Sequence, residues 1–269
     1  MRVKVNHLET QLSVLSELPR AAGFKNGTSS VMTSRTMMLA ELRLLLAAVP
    51  ANANVAEYRA AIIDDHVLLK RSTATRRESA RRLTELYALN PRVPVFRRLR
   101  RLWDADEFGR PLLACLSANA RDALLRYSAR AVLPARQDAI ITPDMIGQVI
   151  SESVPGRYSP GILGNIARHT ASAWTQSGHL LGRTAKRRAH PIVTPASAAY
   201  ALALGYLAGQ RGTYLLETYW TAVLDCPPET IDALAFEAGR YGWLTYRRVG
   251  DVVDLRFSEL LDEERSADA

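Results

Sequence analysis

The chain is poor in several groups that define protein classes. Its 269 residues hold only two cysteines, Cys115 and Cys226, far apart and neither in a CxxC pair. That argues against a disulfide scaffold or a cysteine-rich zinc module and fits a reducing cytoplasm. Met1 to Thr10 lacks the apolar core of a signal peptide. The most apolar runs are Thr36 to Val49, broken by Glu41 and Arg43, and Ala196 to Gly209. Neither gives the ~20 uninterrupted residues of a bilayer span, so no membrane partner is expected. A P-loop, GxGxxG, GxSxG and kinase signature are all missing, which removes the common routes to nucleotide binding and acyl transfer. Carboxylates are the minority charge: Lys+Arg 35 against Asp+Glu 27 leaves +8 and a pI of about 9.8. A basic chain of this size points to a polyanion, either nucleic acid or an anionic membrane surface. The remaining composition, 48% hydrophobic and 23% charged, is that of a globular protein with two or three packing units.

The periodicity is predominantly helical. Residues 1–34, with a weak rhythm at Leu8, Leu12, Leu15 and Leu18 followed by Gly/Ser/Thr, read as a short helix and a loose extension outside the core. Residues 35–91 read as an N-terminal helix-turn-helix. Met38, Leu42, Leu45, Leu46 and Val49 recur at helical spacing up to Pro50, and Val55 to His66 forms a second helix. A third, opened by the capping box Thr75-x-x-Glu78, runs to about Leu89. At about 100° per residue it turns Ala80, Leu83, Leu86 and Tyr87 inward and Arg77, Arg81 and Thr84 outward. Residues 92–140 read as a helical connector with a Phe96, Leu99, Trp103 stripe surrounded by Arg97, Arg98, Arg100 and Arg101.

Residues 141–194 read as a winged-helix-like module. Thr142-Pro143 opens one helix, Pro155-Gly156-Arg157 turns, and Ser159-Pro160 opens a recognition-like helix closed by Gly178 as a left-handed C-cap. A basic strip (Arg183, Lys186, Arg187, Arg188) and the β-prone pair Ile192-Val193 supply the expected wing. Residues 195–262 give three more helices, from Thr194-Pro195, Tyr214 and Pro227-Pro228, and a hairpin turning at Val249-Gly250-Asp251. The hairpin's Arg247 and Arg248 are opposed by Asp251 and Asp254, so this unit is expected to dock protein rather than DNA. Residues 263–269 are a tail. The fold class expected is mainly α, with helix-turn-helix and winged-helix modules joined by a helical connector and short β-hairpin wings.

Catalytic constellations are weak. Asp64-Asp65-His66 has no paired acidic cluster, Asp104, Asp106 and Glu107 read as a solvated turn, and His169 and His179 lack zinc-site spacing. No cofactor, metal or enzymatic activity is expected. The basic residues are more organised. Between Lys70 and Arg101 eleven cations face only Glu78 and Glu85, a local +9. The candidate DNA contacts are Lys70, Arg71, Thr73, Arg76, Arg77, Arg81 and Arg82 on the first unit and Arg97, Arg98, Arg100 and Arg101 on the connector. Ser159, Asn165, Arg168, Arg183, Lys186, Arg187 and Arg188 are those of the second module. His169 and Ser172 lie on the same polar side.

The strings SRTMMLAELRLLL, KRSTATRRESARRLTELY and RYSPGILGNIARHTASAWTQSGHLLG resemble the helical pattern of the BrxA-type accessory subunit of bacterial BREX phage-exclusion systems. The likeness spans roughly Ser34 to Leu261. It reaches Ser72, Thr75, Arg76, Arg82 and Leu83 in one motif and Trp174, Gly178 and Leu180 in another. The chain departs from that family in its segment before Ser34 and its hairpin-bearing end. The resemblance implies a small, helical, non-enzymatic DNA-binding component of phage defence, acting beside larger methyltransferase, ATPase and phosphatase-like subunits. The expectation is therefore a double-stranded DNA-binding accessory protein that works mainly through phosphates, with other subunits of a defence complex as further partners. A protein adaptor, an RNA-binding helical factor and a nuclease with dispersed carboxylates remain as alternatives.

Overall fold

The computed structural model describes residues 8–12, 15–250 and 252–257. Residues 1–7, the turn residue Asp251 and the 263–269 tail lie outside the described residues. The chain is mainly helical, with two small antiparallel sheets. Helices α1 (Leu39–Ala48), α2 (Val55–Ile63) and α3 (Thr73–Tyr87) form the N-terminal unit. Then come α4 (Pro94–Ala105), α5 (Arg110–Arg121) and α6 (Ala123–Val132). Strand β1 (Ile140–Ile141), α7 (Pro143–Ser153), α8 (Pro160–Gln176), β2 (Leu180–Leu181) and β3 (Lys186–Arg188) follow. The C-terminal part holds α9 (Pro195–Leu207), α10 (Tyr219–Leu224), α11 (Pro228–Arg240) and the hairpin β4 (Thr245–Val249) and β5 (Val252–Arg256).

The segment expected to connect two modules is instead the centre of the molecule. Helix α5 is buried continuously from Leu112 to Ala120, and α9 from Ala196 to Gly205. Both are dominated by Ala, Ser, Gly and Cys interspersed with Leu, so neighbours approach them from every side, and a helix apolar all round belongs in a core. Helix α9 packs on α4, α5, α10 and α11, while α5 also meets α3 and α6. The N-terminal segment is likewise core rather than extension: Leu8, Leu15, Leu18, Phe24, Val31 and Met32 are buried in the same cluster. It is nailed down at Ser30 and Val31, whose Oγ and N–H donate to the buried Asp122 carboxylate at 2.8 Å.

Several boundaries shift for identifiable reasons. Helix α3 starts at Thr73, capped by Ser72 Oγ, which accepts from Thr75 N–H. The expected box at Thr75 does not form, because Thr75 is already the third residue of the helix, and the Glu78 carboxylate is held by Arg81 and Arg82. Helix α2 stops at Ile63, three residues before the expected His66, which adopts φ +60°. Helix α8 ends as expected: Gly178 sits at φ +91°, with His179 N–H donating to Trp174 O and Gly178 N–H to Thr175 O, a full Schellman closure. The expected continuous helix from Tyr214 is broken; Gly212–Glu217 is a 3-10 turn, and Thr218 caps α10 anew.

The three-stranded sheet has order β1-β3-β2, pairing Ile140 with Arg187 and Leu180 with Arg188. Strand β1 was not anticipated, and the expected pair Ile192-Val193 is not a strand. Lys186, Arg187 and Arg188 of the basic strip are themselves the central strand, and Arg183 lies in the loop before it. Its alternation decides which arginines reach solvent, since successive side chains of a strand point to opposite faces. The C-terminal hairpin forms as expected, in register Val249 with Val252.

Candidate nucleic-acid interface

Many of the cations nominated from the sequence are consumed inside the fold. Arg76 is 9% exposed and donates to Ile63 O at the end of α2, to Lys70 O and Arg71 O in the following loop, and to Thr73 Oγ1. Arg100 is buried and donates to Leu46 O and Val49 O at the end of α1, while pairing with Asp104. Arg98 is buried with its guanidinium over the Phe257 ring, and Arg97 is half-buried, donating to Pro91 O.

The pattern recurs elsewhere. Arg110 closes α4 through Trp103 O, Arg121 closes α3 through Thr84 O and Glu85 O, and Arg126 closes α5 through Asn119 O. Arg211 closes α9 through Tyr206 O. The last carbonyls of a helix have no intrahelical donor and carry the negative end of its dipole, so a guanidinium is the natural stopper. Much of the arginine excess is therefore structural.

Arg188 is corrected most sharply. It is 1% exposed, pairs with Asp225 at 2.6 Å, and donates to His179 O and Leu133 O. It ties β3 to the turn after α10 and is withdrawn from any ligand. Lys70 pairs with Glu41 at 2.9 Å, and Lys186 is partly buried, donating to Gly182 O, with burial lowering its pKa. Arg82 bridges Glu78 and Glu85 and is partly buried. Arg81 is exposed but also held by Glu78, and these two guanidiniums, Arg81 first, pull the Glu78 pKa down to about 2.

Two exposed basic surfaces remain. On α3 and the loop before it, Arg71 and Arg77 face solvent beside Arg81 and Thr73; Arg101 on α4 is also exposed. On the second module, Ser159, Asn165 and Arg168 lie exposed on the first turns of α8, and Arg183 and Arg187 on the loop and strand. Arg168 donates to Asn165 Oδ1. The loop from β2 to β3 turns at Gly182, φ +99°, where a Cβ would stand 2.2 Å from Ala185 O, so glycine is required there. His169, on the same helix, instead donates from Nδ1 to Met32 O at 2.9 Å.

One signal in the sequence marks this second surface. Between Glu152 and Glu217 there is no carboxylate, while Arg157, Arg168, Arg183, Lys186, Arg187, Arg188 and Arg211 fall in the same interval. Arg157, exposed beside the Tyr158 ring, was missed as a candidate and is found by that criterion. The two surfaces are linked by residues 23–28. Arg121 joins Gly23 O to the end of α3, Lys25 pairs with Glu85 at 4.0 Å, and Tyr158 at the entry to α8 donates to Thr28 O.

Two glycines on the outward side of α8 have no packing reason. A Cβ at Gly161 would meet nothing within 4 Å, and one at Gly164 would meet only Arg168 Nη1 at 3.6 Å. Glycine in a helix interior, the position of Gly164, costs roughly 1 kcal/mol relative to alanine.

Asp64, Asp65 and His66 lie exposed just after α2, and the other considered catalytic groups are engaged within the fold. Asp104 pairs with Arg100, Asp106 accepts from Gly109 N–H, and Glu107 pairs with Arg110. His179 is fully buried between Ser177 Oγ and Val223 O. No group of three or more His, Cys, Asp or Glu able to hold a metal occurs among the described residues. No helix among the described residues is long and apolar enough to cross a membrane. No protein-family model matches the chain, and a search of curated proteins found no match to it.

Proposed function

We propose that the protein is a non-enzymatic double-stranded DNA-binding factor that engages the duplex mainly through phosphates. The observation that carries this reading is the exposed basic surface made by the outward face of α8, the Gly182–Ala185 loop and Arg187, all drawn from a stretch of sequence without a carboxylate. The succession α6, β1, α7, α8, β2, β3, with β3 central in the sheet, supports a winged-helix reading of this module. Helix α8 takes the recognition position and the β2–β3 loop the wing. The α3 surface, with Arg71 and Arg77, is a second contact region, and residues 23–28 keep it near the entry to α8.

The BrxA-type resemblance supports a role as an accessory factor in BREX-like phage defence, alongside other subunits. The residues carrying it are largely architectural: Ser72 caps α3, Arg76 closes α2, and Trp174 and Gly178 build and end α8. It therefore speaks to shared architecture, and the DNA reading rests on the exposed cations. A second reading, a protein adaptor, is favoured by the C-terminal unit. Phe236, Tyr241, Val249 and Val252 are exposed there, and Tyr241 stacks on Trp243. A stoichiometric protein partner that co-purifies without nucleic acid would support it.

The test is duplex affinity across a salt series, with structured RNA as competitor. Removing one phosphate-neutralising cation should reduce the slope of log K against log salt by about 0.9. Arg183→Glu and Arg77→Glu should each weaken binding and flatten the slope. Arg81→Glu should do less than Arg77→Glu, because Arg81 is already engaged by Glu78. Salt-insensitive affinity, unchanged by these substitutions, would sink the proposal.

A further inference from the structure

We infer that duplex binding is sequence-selective, and that the selectivity comes from a short reading face on α8 made of Ile162, Asn165 and Arg168. This rests on the DNA reading above and goes beyond its phosphate contacts. Ile162, Asn165, His169, Ser172 and Gln176 form one stripe at helical spacing. Its second half is covered by residues 28–39. His169 bonds to Met32 O, and Gln176 donates to Thr36 Oγ1 and accepts from Leu39 N–H. Ile162 and Asn165, in the first half, are exposed, and so is Arg168 beside them. The uncovered stretch from Gly161 to Arg168 is about 12 Å long at 1.5 Å per residue. That matches three to four base pairs at ~3.4 Å each.

The chemistry of this face suits base edges. Asparagine pairs bidentately with adenine, arginine with the O6 and N7 of guanine, and an aliphatic side chain packs on the thymine methyl. No carboxylate within residues 153–216 competes for Arg168, and its guanidinium is held over the helix by Asn165 Oδ1. Gly161 and Gly164 lie beside these side chains; a Cβ would stand in open space at Gly161 and touch only the Arg168 guanidinium at Gly164. Glycines with nothing to pack against there allow the backbone to approach another polymer closely. The N-terminal strap thus confines reading to one short subsite instead of the whole length of the helix.

The experiment is selection from a randomised duplex pool, followed by affinity measurements on the enriched and scrambled duplexes. Wild type should enrich a core of three to four base pairs. Arg168→Lys keeps the charge and loses the planar fork, so it should retain the salt slope while its preference for the enriched core falls roughly tenfold or more. Asn165→Ala should lose preference at a neighbouring position. Gly164→Ala should raise the melting temperature yet lower the preference, a combination that a purely structural role does not produce. Wild-type binding to duplex with no enriched core, or an undiminished preference in Arg168→Lys, would overturn this inference and leave the phosphate reading standing. Absence of any duplex binding by wild type would overturn both.

Discussion

Arg187 and Arg188 are neighbours on one short strand, and replacing each by methionine should produce opposite phenotypes. Arg188 is 1% exposed, its partner Asp225 14%, and their charged atoms are 2.6 Å apart. Removing one member of a buried pair costs about 3 to 5 kcal/mol, because the other charge is stranded. His190 Nδ1 still lies 2.7 Å from Asp225 in the variant, which favours the lower end. The carbonyls of His179 and Leu133 also lose a donor. For a chain of this size, about 3 kcal/mol corresponds to a fall in Tm on the order of 10 °C. Arg187 faces solvent, so Arg187→Met should leave stability within about 0.5 kcal/mol. Its effect should appear in duplex titrations as weaker binding and a salt slope reduced by about 0.9. Thermal melts and fluorescence anisotropy on the two proteins suffice. If Arg188→Met kept the wild-type Tm and lost DNA affinity as Arg187→Met does, the division of the strand into a structural and a binding face would be refuted.

Two further expectations follow from buried groups. Met32 is fully buried in the N-terminal strap, so Met32→Ala should cost about 2 to 5 kcal/mol in urea unfolding, whereas a loose extension would show almost no change. Burial pushes the His179 pKa from 6.5 down to about 3, with the charges of Arg188 and His190 adding to it and the Val223 carbonyl opposing it. A neutral buried histidine contributes stability that is complete above its unfolded pKa. That stability is lost as pH falls from about 6.5 toward 3, by up to about 1.4 kcal/mol per pH unit. Asp122, whose pKa burial raises, acts in the opposite direction, so the comparison is with His179→Gln, which should flatten the acid limb. An identical pH profile in that variant would count against the assignment.

Local chemistry was legible wherever a residue's role depends on near neighbours in the chain. The inward face of α3, the caps at Thr142 and Thr194, the left-handed Gly178 and the C-terminal hairpin could all be read in advance. The strand Ile140–Ile141 could not, because two residues carry no period and pair only with a strand more than forty positions on.

The candidate site divides along the same line. Net charge, its local concentration and the long carboxylate-free interval are properties of the sequence, and the proposal of a polyanion partner starts from them. Which arginine faces that partner is not encoded locally. Arg76, Arg100 and Arg188 look the same in the sequence as Arg77, Arg101 and Arg187, the residues beside them. Only the folded chain brings the carbonyl ends of α2 and α1, and the carboxylate of Asp225, to the first three. A guanidinium satisfied by buried acceptors is part of the core, and its neighbour, one step around the helix or across the strand, faces water. Sequence sets how much positive charge there is; tertiary contact decides where that charge is left to act.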